Sequence, residues 1–146
     1  ESESLVSIDT VNIGVRPRGL AASPDSRFLY VTSVDQASNW AYAIDPLSGR
    51  LSFVQVHSRG ANLGAYLGMD PRGRFLYGGS DLSLLMTMNR IDRISGRLSD
   101  VPGTPLASSN TIRGYCFHPN GRFFYATSTN VNGPFTSMRS IKIMDP

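Results

Sequence analysis

Two histidines, one cysteine and thirteen arginines are the side chains of this 146-residue chain best suited to proton transfer, nucleophilic attack or anion binding. His57 and His118 stand apart, with no carboxylate at matching spacing, so the pattern supports no metal site and implies no cofactor. A single cysteine excludes an intrachain disulfide, and the apolar run Tyr115-Cys116-Phe117 predicts a buried thiol. His118 falls in a turn sequence, where a structural role is expected. His57, in the connecting segment Val56-His57-Ser58-Arg59, is a candidate substrate-binding residue if that segment reaches the mouth of a channel. The formal net charge is +3, and the arginines are dispersed through turns at Arg27, Arg50, Arg74, Arg97 and Arg122, which reads as solvated or ion-paired structure. With no basic run and no stripe of basic and aromatic residues, nucleic acid is not expected as a partner. So modest and dispersed a basic excess is discounted as a signal for an anionic partner, and a small anionic or lactone ligand stays open as a partner.

The elements that must position these groups are announced by an internal repeat. Pro24-Asp25-Ser26-Arg27-Phe28-Leu29-Tyr30, Pro71-Arg72-Gly73-Arg74-Phe75-Leu76-Tyr77 and Pro119-Asn120-Gly121-Arg122-Phe123-Phe124-Tyr125 return at intervals of about 47 residues. A second phrase follows the first two, Ile44-Asp45-Pro46-Leu47-Ser48-Gly49-Arg50-Leu51 and Ile91-Asp92-Arg93-Ile94-Ser95-Gly96-Arg97-Leu98, and a third copy begins at Met144-Asp145-Pro146. Short apolar strands and turn residues repeating at this period predict an all-β fold, a β-propeller built from four-stranded antiparallel blades.

Alternation and turn residues place the strands within each period. In blade 1, about residues 19–56, they fall at Gly19 to Ser23, Phe28 to Ser33, Trp40 to Asp45 and Leu51 to Val56. Blade 2, about 64–101, has strands near Tyr66 to Met69, Phe75 to Ser80, Leu84 to Ile91 and Leu98 to Val101. Blade 3, about 114–146, supplies Tyr115 to Phe117, Phe123 to Ser128 and roughly Met138 to Met144, and lacks a fourth strand. Leu5-Val6-Ser7-Ile8 reads as an orphan outer strand. Gly78-Gly79, with no helix after it, reads as a close blade contact or bulge rather than a phosphate loop.

Three blades cannot close a ring, so two arrangements are expected to compete. Either two copies exchange strands, Leu5 to Ile8 of each completing the third blade of the other in a six-bladed homodimer, or the chain is part of a longer propeller. No window approaches the roughly 18 apolar residues of a membrane helix, so no membrane span is expected. Glu1 opens the chain without a basic and apolar leader, which leaves the compartment open.

The phrases Asp-Pro-x-Ser-Gly-x-Leu and Pro-x-Gly-Arg-Phe-Leu-Tyr, with Val101-Pro102-Gly103-Thr104-Pro105-Leu106 between copies, resemble the lactonase-type seven-bladed propellers, which include 6-phosphogluconolactonase and muconate-lactonising enzymes. Ser7 to Thr32, ending Tyr30-Val31-Thr32, is also similar to the Tyr-Val-Thr-Asn repeat propellers, which are commonly extracytoplasmic and tilt the expected localisation that way. In lactonase members one blade carries Pro-Arg-His shortly before a Phe-His-Pro-Asn-Gly turn and a glutamate ten residues after that proline, all facing the channel. Here Phe117-His118-Pro119-Asn120-Gly121 matches the turn and Arg113 matches the arginine. Gly114 replaces the histidine and Thr129 the glutamate. Arg18 holds the arginine position of blade 1, and Asp81 the glutamate position of blade 2.

The resemblance therefore implies a dispersed site, with Asp81 and Arg113 catalytic and Arg18 substrate-binding beside His57. Opening a lactone needs a base for water and a cationic donor for the oxyanion or for an anionic substrate group, the two roles these residue types supply. Two functions are expected to compete, a hydrolase acting on a sugar or acyl lactone at the central channel and a noncatalytic propeller that binds protein or carbohydrate or serves as a self-assembling scaffold.

Overall fold

The computed structural model describes residues 4–14, 16–33, 35–58, 65–80, 84–108, 110–129 and 136–143. The repeated phrases close as turns because the residue ahead of each proline carries an acceptor that reaches back to the backbone. Ser23 Oγ accepts from the N–H groups of Arg27 and Phe28 at 3.1 and 2.9 Å, and Asp70 Oδ1 accepts from those of Arg74 and Phe75. In the third copy His118 Nδ1 accepts from Asn120 N–H at 3.2 Å. In the second phrase Asp45 accepts from Leu47 and Ser48, and Asp92 from Ile94 and Ser95. The glycine that ends each of these loops, Gly49 or Gly96, has φ of 72° or 73°, which glycine adopts without cost from a Cβ.

Between the turns the chain is all strand, with no helix among the described residues. Blade 1 is β1 (Pro17–Ala22), β2 (Phe28–Ser33), β3 (Ser38–Ile44) and β4 (Leu51–Ser58), paired antiparallel in that order. Blade 2 is β5 (Tyr66–Met69), β6 (Phe75–Gly79), β7 (Leu85–Ile91) and β8 (Leu98–Asp100), with β9 (Leu106–Ala107) also paired to β7. The outer edge of this blade is therefore split, β8 against Asn89 to Ile91 and β9 against Leu85 and Met86, around a loop that contains a cis Thr104–Pro105 bond. Blade 3 is β10 (Thr111–Phe117), β11 (Phe123–Thr129) and β12 (Thr136–Lys142). The first strands of the three blades are neighbours, β5 lying against both β1 and β10, so the blades fan out from an inner row as propeller blades do.

Alternation sends one face of each sheet to the next. Between blades 1 and 2 the core is Phe28, Tyr30, Ala41, Leu76, Ile91 and Leu98, whereas between blades 2 and 3 Ile112, Phe124 and Ala126 pack with Tyr115 and Phe117. The same alternation corrects the expectation for Cys116. Its neighbours Tyr115 and Phe117 turn toward blade 2, so the thiol points to the opposite face and is exposed.

Residues 5–8 form no strand in the single chain. The segment acts instead as a strap on blade 1. The Ile8 side chain lies over Gly49, Asp9 Oδ2 accepts from Leu51 N–H at 2.9 Å, Gly14 abuts Gln36, and Arg16 pairs with Asp35 at 3.1 Å. Exchange with a second copy would have to draw on Leu5 and Val6, which are fully or largely exposed, or release Ile8 from this contact.

Candidate functional site

Arg18 and Arg113 occupy equivalent places in two inner strands, and each sits at an interruption of the ladder. On β1 the register runs from Pro17 opposite Ser33 to Leu20 opposite Val31, so Arg18 and Gly19 together face Thr32 alone. On β10 Ile112 lies opposite Ser128 and Gly114 opposite Thr127, which leaves Arg113 as the extra residue. A bulge of this kind re-aims its side chain out of the sheet's alternation, and both arginines are exposed. The equivalent residue of the middle blade is Ala65, 2% exposed, whose N–H donates to Gly79 O at 2.7 Å. The inner row thus presents two guanidinium groups flanking an uncharged step.

Beside Arg113 lies a recess of about 270 Å³ whose other lining residues include Thr127, Ser128, Thr129 and Ser137. Two of its hydroxyls are paired, Ser128 Oγ lying 2.9 Å from Ser137 Oγ, and behind it the buried Thr111 Oγ1 donates to Thr129 O at 3.0 Å. A fork of N–H donors next to several hydroxyls suits a polyhydroxylated molecule with an anionic or developing oxyanionic group. Among the described residues neither a carboxylate nor an imidazole lines this recess, and Gly114 and Thr129 stand at the positions of the family's histidine and glutamate.

Asp81, expected as the base, lies outside the described residues. His57 is placed elsewhere. The β3–β4 ladder continues past Val56 through Asn39 opposite His57, so the strand extends to Ser58 and holds the imidazole on the outermost strand of blade 1, not at a channel mouth. There His57 Nε2 lies 2.9 Å from Asp100 Oδ1 and 3.1 Å from Asn89 Nδ2. Asn89 Oδ1 in turn accepts from Asn39 Nδ2 at 3.2 Å, and Asn39 is 1% exposed. The histidine closes a polar clasp between blades 1 and 2. The two candidate arginines are brought to the inner row; His57 is not.

Sequence reading missed Tyr115, two residues beyond Arg113. Burial pushes its phenol well above the ordinary tyrosine range, and its hydroxyl sits where a Cβ on Gly79 would lie, 2.5 Å away. The paired glycines after Tyr77 were the available signal, and the close blade contact read from them is present.

Residues 3–112 match the family of lactonases with a seven-bladed β-propeller. The chain belongs to that family. Comparison with curated proteins returns no match. Among solved structures, the periplasmic gluconolactonase of Pseudomonas aeruginosa is similar at 23% identity and a TM-score of 0.54, covering 87% of this chain and 40% of its own. A proposed 6-phosphogluconolactonase from Bacteroides fragilis is similar at 19% identity and a TM-score of 0.63, covering 87% and 39%. Kuenenia stuttgartiensis hydrazine synthase is similar at 19% and 0.64, covering 90% and 35%. At these identities the likeness is one of fold, and the chain spans about two fifths of the length of such structures. That a protein named as a synthase is as similar in fold to this chain as one named as a lactonase shows why the chemistry has to be argued from the site.

Proposed function

We propose that the protein is a lactone hydrolase of the lactonase propeller family, acting on a sugar lactone at the inner row of strands. The observation that supports this reading is the pair of exposed arginines, each carried out of its inner strand by a bulge at the same place in the repeat. In the proposed reaction a base takes a proton from water as the water oxygen attacks the lactone carbonyl carbon. The tetrahedral oxyanion is held by Arg113, the ring C–O bond breaks, and the leaving alkoxide is protonated to give the open hydroxy acid. Arg18 holds a carboxylate, phosphate or hydroxyl group remote from the carbonyl. Asp81 is assigned the role of base on its position in the repeat.

Acid release during hydrolysis of sugar δ- and γ-lactones, followed by pH-stat above the spontaneous rate, tests the proposal. Arg113→Ala is expected to lower kcat/KM by about 100-fold or more, the scale of losing one oxyanion donor, with the unfolding transition unchanged. Absence of turnover above background across the panel would reject the hydrolase. The hydroxyl-lined recess, with Gly114 and Thr129 in place of a proton-transfer pair, would then be read as a carbohydrate-binding surface.

A further inference from the structure

At the other end of the inner strands the turns of blades 1 and 2 enclose a second recess, of about 450 Å³, a size typical of small-molecule sites. We propose that this recess binds a small anion bearing an aromatic or other apolar ring. Arg72, Arg74 and Arg93 line it, Arg72 lying also beside Gly121 of blade 3, and Pro24, Pro71, Phe28 and Ile91 form its apolar part, the last two buried in the blade junction. Asp25 is the one acidic residue of the lining, and its Oδ1 accepts from Ser23 Oγ at 2.6 Å and from Arg27 N–H at 3.2 Å. The other acids of these turns are likewise occupied. Asp70 is fully buried and holds the backbone N–H and Nε of Arg74, and Asp92 holds the N–H groups of Ile94 and Ser95. Among the described residues no carboxylate pairs with Arg72 or Arg93, so the lining keeps a cationic excess.

The frame is rigid on the side that carries Arg93. Arg27 donates to the carbonyls of Arg93 and Ile94 at 3.3 and 3.2 Å, tying that turn to blade 1. A bare anion would use the cationic part of the lining alone and a neutral ring the apolar part alone, in which Pro24 and Pro71 stand beside the edges of Phe28 and Ile91; a ligand with both parts uses the whole recess. This site lies away from the arginines of the inner row and stands whether or not the protein hydrolyses a lactone.

Isothermal titration of the full chain with phenyl phosphate, inorganic phosphate and phenol separates the two contributions. Phenyl phosphate is expected to bind at least 10-fold more tightly than either fragment, and to weaken as salt is raised. Arg93→Gln or Arg72→Gln should each weaken it several-fold, while Arg50→Gln, which removes the same charge from an exposed turn outside the recess, should leave it unchanged. Equal affinity for phenyl phosphate and inorganic phosphate, or an equal loss in Arg50→Gln and Arg93→Gln, would overturn the proposal, the second because it would reduce binding to net charge.

Discussion

The junction between blades 1 and 2 and the junction between blades 2 and 3 are built from the same repeat positions and held by different means. Where the first places Leu67, Met69 and Leu76, the second places Tyr115, Phe117 and Phe124. The added ring volume is offset across the interface. Gly68 replaces Ala21, and a Cβ there would lie 2.8 Å from both Tyr115 and Phe117; Gly79 replaces Thr32 beside the Tyr115 hydroxyl. The polar clasp is also exchanged, since Asn39 and Asn89 of the first junction correspond to Met86 and Ile141 of the second, both in its apolar cluster. The first junction adds bonds from Arg27 and Gln55, whose amide pairs with both the N–H and the carbonyl of Leu98. The second is filled by rings, Tyr77 lying 5.1 Å from Phe117 and 5.6 Å from Phe124 between centroids. The repeat fixes how much space a junction has; it leaves open whether hydrogen bonds or aromatic packing occupy it.

Removing a filler should have the largest effect. Phe124→Ala is expected to destabilise by about 3–5 kcal/mol in denaturant unfolding, more than Leu76→Ala at the matching place. The reverse order would show that the aromatic junction collapses around a cavity better than the bonded one. Next comes the compensation itself. Gly68→Ala should cost about 1–3 kcal/mol through overpacking. Adding Phe117→Met, which restores the Ala and Met combination of the first junction, should recover at least half of that loss; strictly additive effects would disprove the coupling. The smallest effect concerns the turns that frame the junctions. Hydrogen bonds, first among them that from Ile94 N–H, hold the Asp92 carboxyl below its ordinary value of 3.8. Its contribution is present above that pH and is lost as pH falls through the lower folded value. Asp92→Asn should therefore lower stability slightly at neutral pH and converge with the parent below about pH 4, flattening the acid limb of the profile, and an unchanged acid limb would remove the turn from the account.

What could be read from the chain alone was whatever is local. The turn residues, the β1–β2 and β3–β4 hairpins and the propeller architecture all follow from phrases of seven or eight residues. The strand β9 escaped because two residues after Pro105 carry no period of their own and pair only once β7 is in place. The bulges at Arg18 and Arg113 were invisible because a bulge is a property of two strands. His57 was misplaced for the same reason: its partners Asn89 and Asp100 are 32 and 43 residues away. The two arginines were found through resemblance, and what the structure adds is their shared geometry.

The Arg27 bonds to the carbonyls of Arg93 and Ile94 span 66 and 67 residues, and Tyr30 donates to Gly96 across a similar distance. On a ribosome adding about 5–20 residues per second, the first blade waits roughly 3–13 s for the turn that completes it. During that interval the rings of Phe28 and Tyr30 face solvent instead of blade 2. The nascent chain therefore carries, for seconds, a sticky surface that the finished protein never shows, and the chaperones that attend synthesis would encounter blade 1 before any ligand does.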